Sequence, residues 1–217
     1  MPTADPTAPL HTWFHDRGWQ PFPFQKETWD AFLSGHGGLL NAPTGSGKTL
    51  ALWGACVADW IQEHPDDWRT TPKGGLRVLW VTPLRALARD LQSATQGFCD
   101  DLGLPWRVEL RTGDTSPSAR QRQVKTPPTC LVTTPESIHV LLSRKDARRL
   151  LRHVRAVVVD EWHELLGTKR GVQTELALAR LREFTGPDRL RTWGISATVG
   201  NLGEARAALL GNLPART

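Results

Sequence analysis

Short apolar runs rich in β-branched residues alternate along the chain with longer stretches that favour helix. The runs that predict strands are 38–41, 76–81, 106–111, 130–133, 156–159 and 192–196. The clearest helical stretches are 50–60, 84–102 and 172–184. Strands that alternate with helices form a mainly parallel sheet covered by helices on both faces. The pattern therefore predicts a three-layer α/β/α domain.

A polar cluster follows each predicted strand. These clusters are 41–49, 82–85, 112–115, 134–137, 160–163 and 196–198. Parallel sheets bind ligands outside the carboxyl ends of their strands. Six clusters on one edge are hard to explain as turns alone, so we expect the functional site there.

The first cluster has the composition of a phosphate loop. Backbone N–H groups at a helix N-terminus hold a triphosphate, and glycines let the backbone approach it closely. The Lys48 ammonium would reach the β- and γ-phosphates, and the Thr49 hydroxyl would bind Mg²⁺. The strict pattern begins with glycine where this chain has Ala42, so a glycine-rich turn before an ordinary helix stays an alternative. The predicted triphosphate-binding residues are Pro43, Thr44, Gly45, Ser46, Gly47, Lys48 and Thr49.

Two adjacent carboxylates, Asp160 and Glu161, directly follow the apolar run 156–159. One can hold Mg²⁺ while its neighbour polarises an attacking water. We assign the metal to Asp160 and the general base to Glu161. An acidic pair that merely caps a strand is the alternative.

Composition narrows the class of protein further. The 217-residue chain suits one large domain, and its net charge of +5 makes polyanions plausible partners. Three scattered cysteines argue against a disulfide framework or zinc site and predict buried thiols in a reducing cytosol. The sequence has no signal peptide and no apolar run of membrane-spanning length, so we expect a cytoplasmic protein without a membrane partner.

The N-terminal region predicts a flexible segment at 1–9 and helices within 10–34, over 10–18 and 25–34. Pro21 and Pro23 disfavour helix between them. The Gln25 amide can donate to and accept from one base edge. Aromatic residues beside Gln25 would stack on a purine or, alternatively, form a core plug. Residues 35–217 form the remaining predicted domain.

The ordered motifs resemble those of a superfamily 2 DExH-box helicase. They are Gln25, 42–49, 82–87, 134–137, 160–163 and 196–198, and they cover nearly the whole chain. Segments 18–25 and 160–171 are similar to the large helicase-related (Lhr) family, especially its bacterial ligase-associated branch. The resemblance implies a RecA-like P-loop NTPase fold and an ATP-driven motor that tracks 3′ to 5′ on single-stranded DNA. It also implies a DNA-repair role, with a ligase as a possible partner.

The resemblance also implies roles for individual residues. Gln25 would read adenine, while Lys48, Thr49, Asp160 and Glu161 keep the roles given above. Residues that would couple the nucleotide site to the strand are His163, Ser196 and Thr198. Residues that would face the nucleic-acid backbone are Arg85, Gly113, Thr115, Thr134 and Ser137, joined by Lys169 and Arg170 from a glycine-bounded loop. A solvated loop is the alternative for that last pair.

Helicase motors close ATP between two RecA-like domains, and this sequence matches only the first. We therefore expect a domain of a longer protein, or a fragment, that binds ATP weakly, hydrolyses it slowly and unwinds nothing alone. Alternatives are an ATP-dependent binding switch without unwinding and an RNA-directed helicase. A metabolic phosphate-loop kinase would need an acceptor pocket that the sequence does not indicate.

Overall fold

The computed structural model describes residues 5–186, 188–197 and 201–211. Six strands alternate with helices along the chain. The elements are α1 (Ala8–His15), α2 (Pro23–Leu33), β1 (Gly38–Asn41), α3 (Lys48–Glu63), β2 (Val78–Val81), α4 (Arg85–Asp101), β3 (Val108–Arg111), α5 (Pro117–Lys125), β4 (Cys130–Thr133), α6 (Pro135–Leu142), α7 (Ala147–Leu151), β5 (Ala156–Val159), α8 (Trp162–Leu165), α9 (Lys169–Thr185), β6 (Arg191–Ser196) and α10 (Leu202–Leu210).

The six strands form one sheet in the order β1-β6-β5-β2-β4-β3, and every pairing in it is parallel. Among the described residues, β1 lies at one edge of the sheet and pairs only with β6, whereas β2 and β5 lie in the middle and are buried along their whole length. The predicted α/β class and parallel sheet are confirmed. Since parallel strands end on the same edge, the described residues of the six polar clusters are brought to one side of the sheet.

Alternating side chains of each strand enter two separate cores. In β2, Val78 and Trp80 pack with α1 to α4, whereas Leu79 and Val81 pack on the opposite face with α6 to α10. This division follows from the two-residue period of a strand. The first core holds a cluster of buried tryptophans that includes Trp53, Trp80 and Trp106. The three-layer arrangement predicted from the sequence is therefore present.

The N-terminal helices differ in their bounds from those predicted. α1 begins at Ala8 rather than at residue 10, because Thr7 and Asp5 form a turn in which Asp5 Oδ1 accepts from Thr7 N and Oγ1, each at 2.8 Å. α2 begins at Pro23, two residues before the predicted start. Proline at the first helical position costs no hydrogen bond, since that N–H has no partner within the helix.

The prediction of a loop at Lys169 and Arg170 is wrong, because both residues lie in the first turn of α9. The Thr168 hydroxyl caps this helix by accepting from Gly171 N at 3.1 Å. A Cβ atom on Gly171 would lie 2.1 Å from the carbonyl oxygen of Leu165. The glycine that suggested a loop is thus required by the close approach of α8 to α9.

Two predictions from composition have structural outcomes. Cys56, Cys99 and Cys130 are all buried and unbonded, as predicted. Within the described ranges, no helix is long and apolar enough to cross a membrane.

Candidate functional site

The phosphate loop connects β1 to α3 through two residues with left-handed backbone. Gly45 has φ 79° and Gly47 has φ 89°, values that residues with a side chain rarely adopt. These turns direct the loop into the N-terminus of α3, which starts at Lys48. The buried Ser46 hydroxyl has no hydrogen-bond partner among the described residues. The loop therefore offers backbone N–H groups and a hydroxyl group that can donate hydrogen bonds to a phosphate.

The Lys48 side chain lies across the phosphate loop. Its Nζ donates to the carbonyl oxygen of Pro43 at 2.8 Å and also contacts that of Ala42. Burial lowers the pKa of the Lys48 ammonium, and the nearby carboxylates of Glu161 and Asp160 oppose this shift. The structure thus brings the loop and the acidic pair, 112 residues apart in sequence, into one electrostatic cluster.

Asp160 follows β5 and is held by two donors. Its Oδ1 accepts from Glu161 N at 3.0 Å, and its Oδ2 lies 3.4 Å from Trp80 Nε1. Burial raises the pKa of Asp160 to about 6, and the Glu161 carboxylate contributes in the same direction. A cation bound beside this carboxylate would stabilise its ionised form, which burial alone disfavours.

The backbone of Glu161 is strained. With φ 47° and ψ 46°, it is the one non-glycine residue with positive φ in the described part of the chain. Such a conformation costs on the order of 1 kcal/mol or more. It turns the chain sharply between β5 and α8, and Glu161 Oε2 lies 3.4 Å from His163 Nδ1.

His163 links Glu161 to the end of β6. Its Nδ1 lies 3.1 Å from the Ser196 hydroxyl, which is completely buried. The structure thus joins two of the three predicted coupling residues to the predicted general base. The third, Thr198, lies outside the described residues.

Gln25 lies against the phosphate loop, and its side chain is almost fully buried, with 1% of its surface exposed. Its Oε1 accepts from Phe22 N at 2.9 Å, and its Nε2 donates to the carbonyl oxygen of Gly47 at 3.1 Å. A Cβ atom on Gly47 would lie 2.9 Å from that same nitrogen. The amide therefore ties the start of α2 to the loop, a contact that the sequence did not indicate.

The aromatic residues around Gln25 divide into two groups. Phe24 is partly buried and packs against the first core, as the core-plug alternative requires, whereas Trp19 is 52% exposed and is not part of that core. Phe22 is 56% exposed and stacks on Phe24, with ring centroids 5.9 Å apart. An exposed aromatic face next to Gln25 is the part of this segment that is open to a base.

The donor set at the acidic pair suits Mg²⁺. The Thr49 hydroxyl and Asp160 carboxylate are hard oxygen ligands of the kind this ion takes in proteins. No group of three histidine, cysteine or acidic side chains in the described ranges is arranged to hold a metal. Mg²⁺ is commonly held by one or two carboxylates together with waters and substrate phosphates, so the sparse set fits it.

The predicted nucleic-acid residues Arg85 and Gly113 are adjacent. The Arg85 guanidinium covers Gly113 so closely that a Cβ atom there would lie 2.9 Å from Nη2. Arg85 Nη1 lies 3.7 Å from the exposed Asp114 carboxylate. The Thr115 hydroxyl accepts from Thr112 N at 2.9 Å and fixes the turn between them.

A cavity of about 140 Å³ brings together Arg85, Gly113 and Ser137. Two further arginines line it, Arg111 and Arg120, which sequence reasoning missed. Arg120 Nη2 donates to the carbonyl oxygens of Thr112 and Gly113, at 3.0 and 2.8 Å. Burial and the nearby positive charges of Arg120 and Arg144 lower the pKa of Arg111. The lining has three arginines and one carboxylate, Glu136, which is itself paired with Arg170, so its net positive charge is favourable for an anion.

Thr134 and Ser137 start α6. Thr134 is completely buried, and its hydroxyl accepts from Ser137 N at 3.4 Å and contacts Ser137 Oγ at 3.2 Å. Thr134 therefore positions the partly exposed Ser137 from below the surface. Only the Ser137 hydroxyl of this pair reaches the cavity.

The Arg170 side chain is bonded to other residues of this chain. Its Nε lies 2.6 Å from Glu136 Oε1, and its Nη2 donates to the carbonyl oxygen of Pro83 at 3.2 Å. It thus joins α9 to α6 and to the loop before α4. Lys169, by contrast, is exposed at the start of α9.

Comparison with known proteins gives consistent results. The family model for DEAD/DEAH box helicases matches residues 22–205. The chain is 38% identical to an Lhr helicase/probable uracil glycosylase of Mycolicibacterium smegmatis, over 97% of this chain and 14% of that protein. It is 34% identical to an ATP-dependent helicase Lhr-Core of Methanocaldococcus jannaschii, over 94% of this chain and 25% of that protein. The resemblance to Lhr helicases stated from the motifs is confirmed.

A solved structure shows the same fold. It is the Mycobacterium smegmatis helicase Lhr bound to ssDNA and AMP-PNP, with a TM-score of 0.78 and 36% identity over 98% of this chain and 28% of that one. The predicted RecA-like fold is confirmed by this similarity. The chain spans between about a seventh and a quarter of the length of the two curated relatives described above.

Proposed function

Because this chain belongs to the DEAD/DEAH box helicase family, we propose that it is the ATP-binding and ATP-hydrolysing domain of a helicase that acts on single-stranded DNA. The observation that carries the proposal is the connected cluster of Lys48, Asp160 and Glu161, which continues through His163 to Ser196. It combines a phosphate cradle, a cation site and a base. The solved Lhr helicase was bound to both AMP-PNP and ssDNA.

The phosphate loop would hold the triphosphate. Lys48 would exchange its contacts with the Ala42 and Pro43 carbonyls for the β- and γ-phosphates, because an ammonium is better stabilised by an anion than by neutral oxygens. To read adenine, the buried Gln25 amide would have to turn toward the base and exchange its bonds with Phe22 N and the Gly47 carbonyl oxygen for the base edge. Phe22 offers the exposed ring for the base.

Thr49 and Asp160 would hold Mg²⁺, which, when bound, neutralises charge that develops on the phosphates. Glu161 would orient and deprotonate the attacking water. Its strained backbone fixes the direction of the carboxylate, and the contact with His163 restricts it further. The protein groups are thus pre-organised, which is the main contribution an enzyme makes to phosphoryl transfer.

The strand would lie along the same edge of the sheet, over the cavity of Arg85, Gly113 and Ser137. A guanidinium, a hydroxyl and backbone N–H groups suit sequence-independent contacts to phosphates. Arg111 and Arg120 add positive charge beneath them. Lys169, exposed at the start of α9, would join these contacts, whereas Arg170 would act by holding the loop at Pro83.

The finer assignments stay predictions. They are the tracking direction 3′ to 5′, DNA rather than RNA, the DNA-repair role, a ligase partner, membership of the ligase-associated branch, and a cytoplasmic location. Completion of the ATP site by a second RecA-like domain is also part of the proposal. Positive charge from an arginine finger is worth roughly 10³- to 10⁵-fold in related systems.

The test combines AMP-PNP titration calorimetry with single-turnover ATP hydrolysis in the presence of single-stranded DNA, single-stranded RNA or neither. Lys48→Ala should remove most nucleotide affinity. Glu161→Gln should keep nucleotide affinity and, in the complete enzyme with the second RecA-like domain, slow hydrolysis by roughly 10²- to 10⁴-fold. Glu183→Gln, which changes an exposed carboxylate on α9 that pairs with Arg180, is the matched control. Wild-type hydrolysis by Glu161→Gln, or normal binding by Lys48→Ala, would refute the proposal.

A further inference from the structure

The amino-terminal edge of the sheet carries a second basic surface, on the side opposite the motifs. Two adjoining grooves of about 450 and 540 Å³ lie there and share the segment 71–74 together with Arg152 and His153. They are formed by the loop after α3, the residues before β2 and β5, and the segments after α5 and α9. Since a strand advances about 3.3 Å per residue, roughly 10 Å or more of sheet separates these grooves from the nucleotide site.

The lining of the two grooves is strongly basic. Eight lysine and arginine side chains line them against a single carboxylate, Asp67. Arg77 and Arg155 are neutralised from beneath: Glu63 lies 2.7 and 2.5 Å from them, and the buried Asp59 lies 3.2 Å from Arg77. Arg107 and Arg149 pair with Glu109 and Asp146, so the charge left over for a ligand lies on the other four cations.

Four exposed cations of the lining form no ion pair with any described residue. They are Lys73 in the shared loop, Arg152 after α7, which contacts the neighbouring His153, Lys125 at the end of α5 and Arg189 before β6. They lie on separate elements along the two grooves, so their charges are spread over a long surface. Such an arrangement suits an extended polyanion better than a single small anion.

The same lining lacks the groups that read bases or peptides. Trp60 is its one aromatic side chain other than histidine, and Trp60 is buried under His64 and Arg77. Surfaces that bind single-stranded nucleic acid expose aromatic rings on which the bases stack. Surfaces that bind protein segments have apolar pockets in which anchor side chains are buried. The Thr70, Thr71 and Thr126 side chains instead offer hydroxyl groups, which suit phosphate oxygens.

We infer that this surface binds the phosphate backbone of a nucleic-acid duplex, in addition to the single strand bound on the motif edge. The bases of a duplex are stacked in its interior and its phosphates lie on the outside. A basic surface without exposed aromatic rings can therefore bind a duplex through those phosphates. The two edges of one sheet would then contact the single-stranded and double-stranded parts of the same substrate. This goes beyond the proposed function, which requires only the motif edge.

The test measures the affinity of the wild-type protein and of Lys73→Ala/Lys125→Ala/Arg189→Ala for a 16-base-pair duplex and for a single strand of equal length, at several salt concentrations. Loss of three phosphate contacts should weaken duplex binding roughly tenfold or more and reduce the log–log salt slope by about 2 to 3 units. Single-strand affinity in the presence of AMP-PNP should not change. A matched control is Lys26→Ala/Arg180→Ala/Arg206→Ala, which removes the same charge from other surfaces and should leave duplex binding unchanged.

Two further measurements separate the alternatives. Acetylation of Lys73 and Lys125 in the wild-type protein should be slowed by the duplex, a readout that needs no variant. Polyglutamate should compete weakly; competition equal to that of the duplex would indicate an acidic protein segment and overturn the inference. Unchanged duplex affinity in the triple variant, or an equal loss for the single strand, would overturn it as well.

Discussion

The Nδ1 atom of His163 lies 3.1 Å from the hydroxyl of Ser196, and this contact joins the turn after β5 to the last residue of β6. The same nitrogen lies 3.4 Å from Glu161. The His163 imidazole therefore contacts both the predicted general base and the end of β6, which leads to the following motif.

Ser196→Ala should keep nucleotide affinity but weaken the coupling between nucleotide and strand. Typical coupling free energies correspond to about 5- to 150-fold in affinity, so loss of the contact should reduce the effect of AMP-PNP on single-strand affinity at least about fivefold. Reciprocal titrations measure it. Ser143→Ala, which removes an exposed hydroxyl bonded only to the carbonyl oxygen of Val140, is the control. Full coupling in Ser196→Ala would leave Ser196 a packing residue.

Gln25→Ala should lower the affinity for ATP more than the affinity for GTP, because the Gln25 amide is proposed to read the adenine edge. It should also destabilise the fold by about 1–3 kcal/mol, since Phe22 N–H and the Gly47 carbonyl lose their partner. Gln25→Glu keeps the acceptor for Phe22 but not the donor for Gly47. Calorimetry with both nucleotides and thermal unfolding of both variants separate the two roles. Equal losses for ATP and GTP would make Gln25 purely structural.

Stability should depend on pH through Asp160. Its pKa is raised to about 6 in the folded protein, against an ordinary value of 3.8. The folded state therefore binds more protons than the unfolded state between these values, and stability falls as pH rises through this window. Relative to Asp160→Asn, the wild-type protein should lose on the order of 1–3 kcal/mol between pH 4 and pH 7.

Urea unfolding without nucleotide at several pH values measures this difference. Any constant effect of the asparagine, such as poorer pairing with Trp80, cancels in the comparison across pH. A difference between the two proteins that does not change from pH 4 to pH 7 would show that Asp160 has an ordinary pKa. Addition of Mg²⁺ with ATP should stabilise the wild-type protein more than the variant.

Arg85 and Arg170 should differ in the salt dependence of single-strand binding. Arg85→Ala removes a proposed phosphate contact and should reduce the log–log slope by about 0.7. Arg170→Ala should weaken binding without changing the slope, because its guanidinium is bound to Glu136 and to the carbonyl oxygen of Pro83. Glu136→Gln should resemble Arg170→Ala. An equal change of slope in both arginine variants would make Arg170 a direct contact.

Much of the fold could be predicted because the strands carry their own signal. The run 156–159 is apolar throughout, as a central parallel strand must be, and polar residues follow it at once. The phosphate loop and the acidic pair could be placed at one sheet edge for the same reason. Helix bounds were less predictable: Pro23 discourages helix in general but suits its first position, and Gly171 imitates a loop residue.

Other features depend on tertiary contacts that no local pattern carries. Arg120 matters because it bonds the backbone at Thr112 and Gly113, and Arg111 because it is buried beneath them. Thr134 is polar and follows a strand, as a contact residue would, yet it is completely buried. The left-handed backbone of Glu161 opposes local preference and persists because the surrounding structure enforces it.

The position of β1 at the edge of the sheet has a consequence for hydrogen exchange. Ala42 N donates to the carbonyl oxygen of Ser196, so alternate amides of β1 point toward β6, and those between them, Leu39 and Asn41, point away from it. We expect these two amides to exchange with solvent deuterium much faster than those of β2 and β5. Because β1 is bonded to a neighbouring strand on one side and β2 and β5 on both, less free energy should be needed to open β1 locally than to open the centre of the sheet.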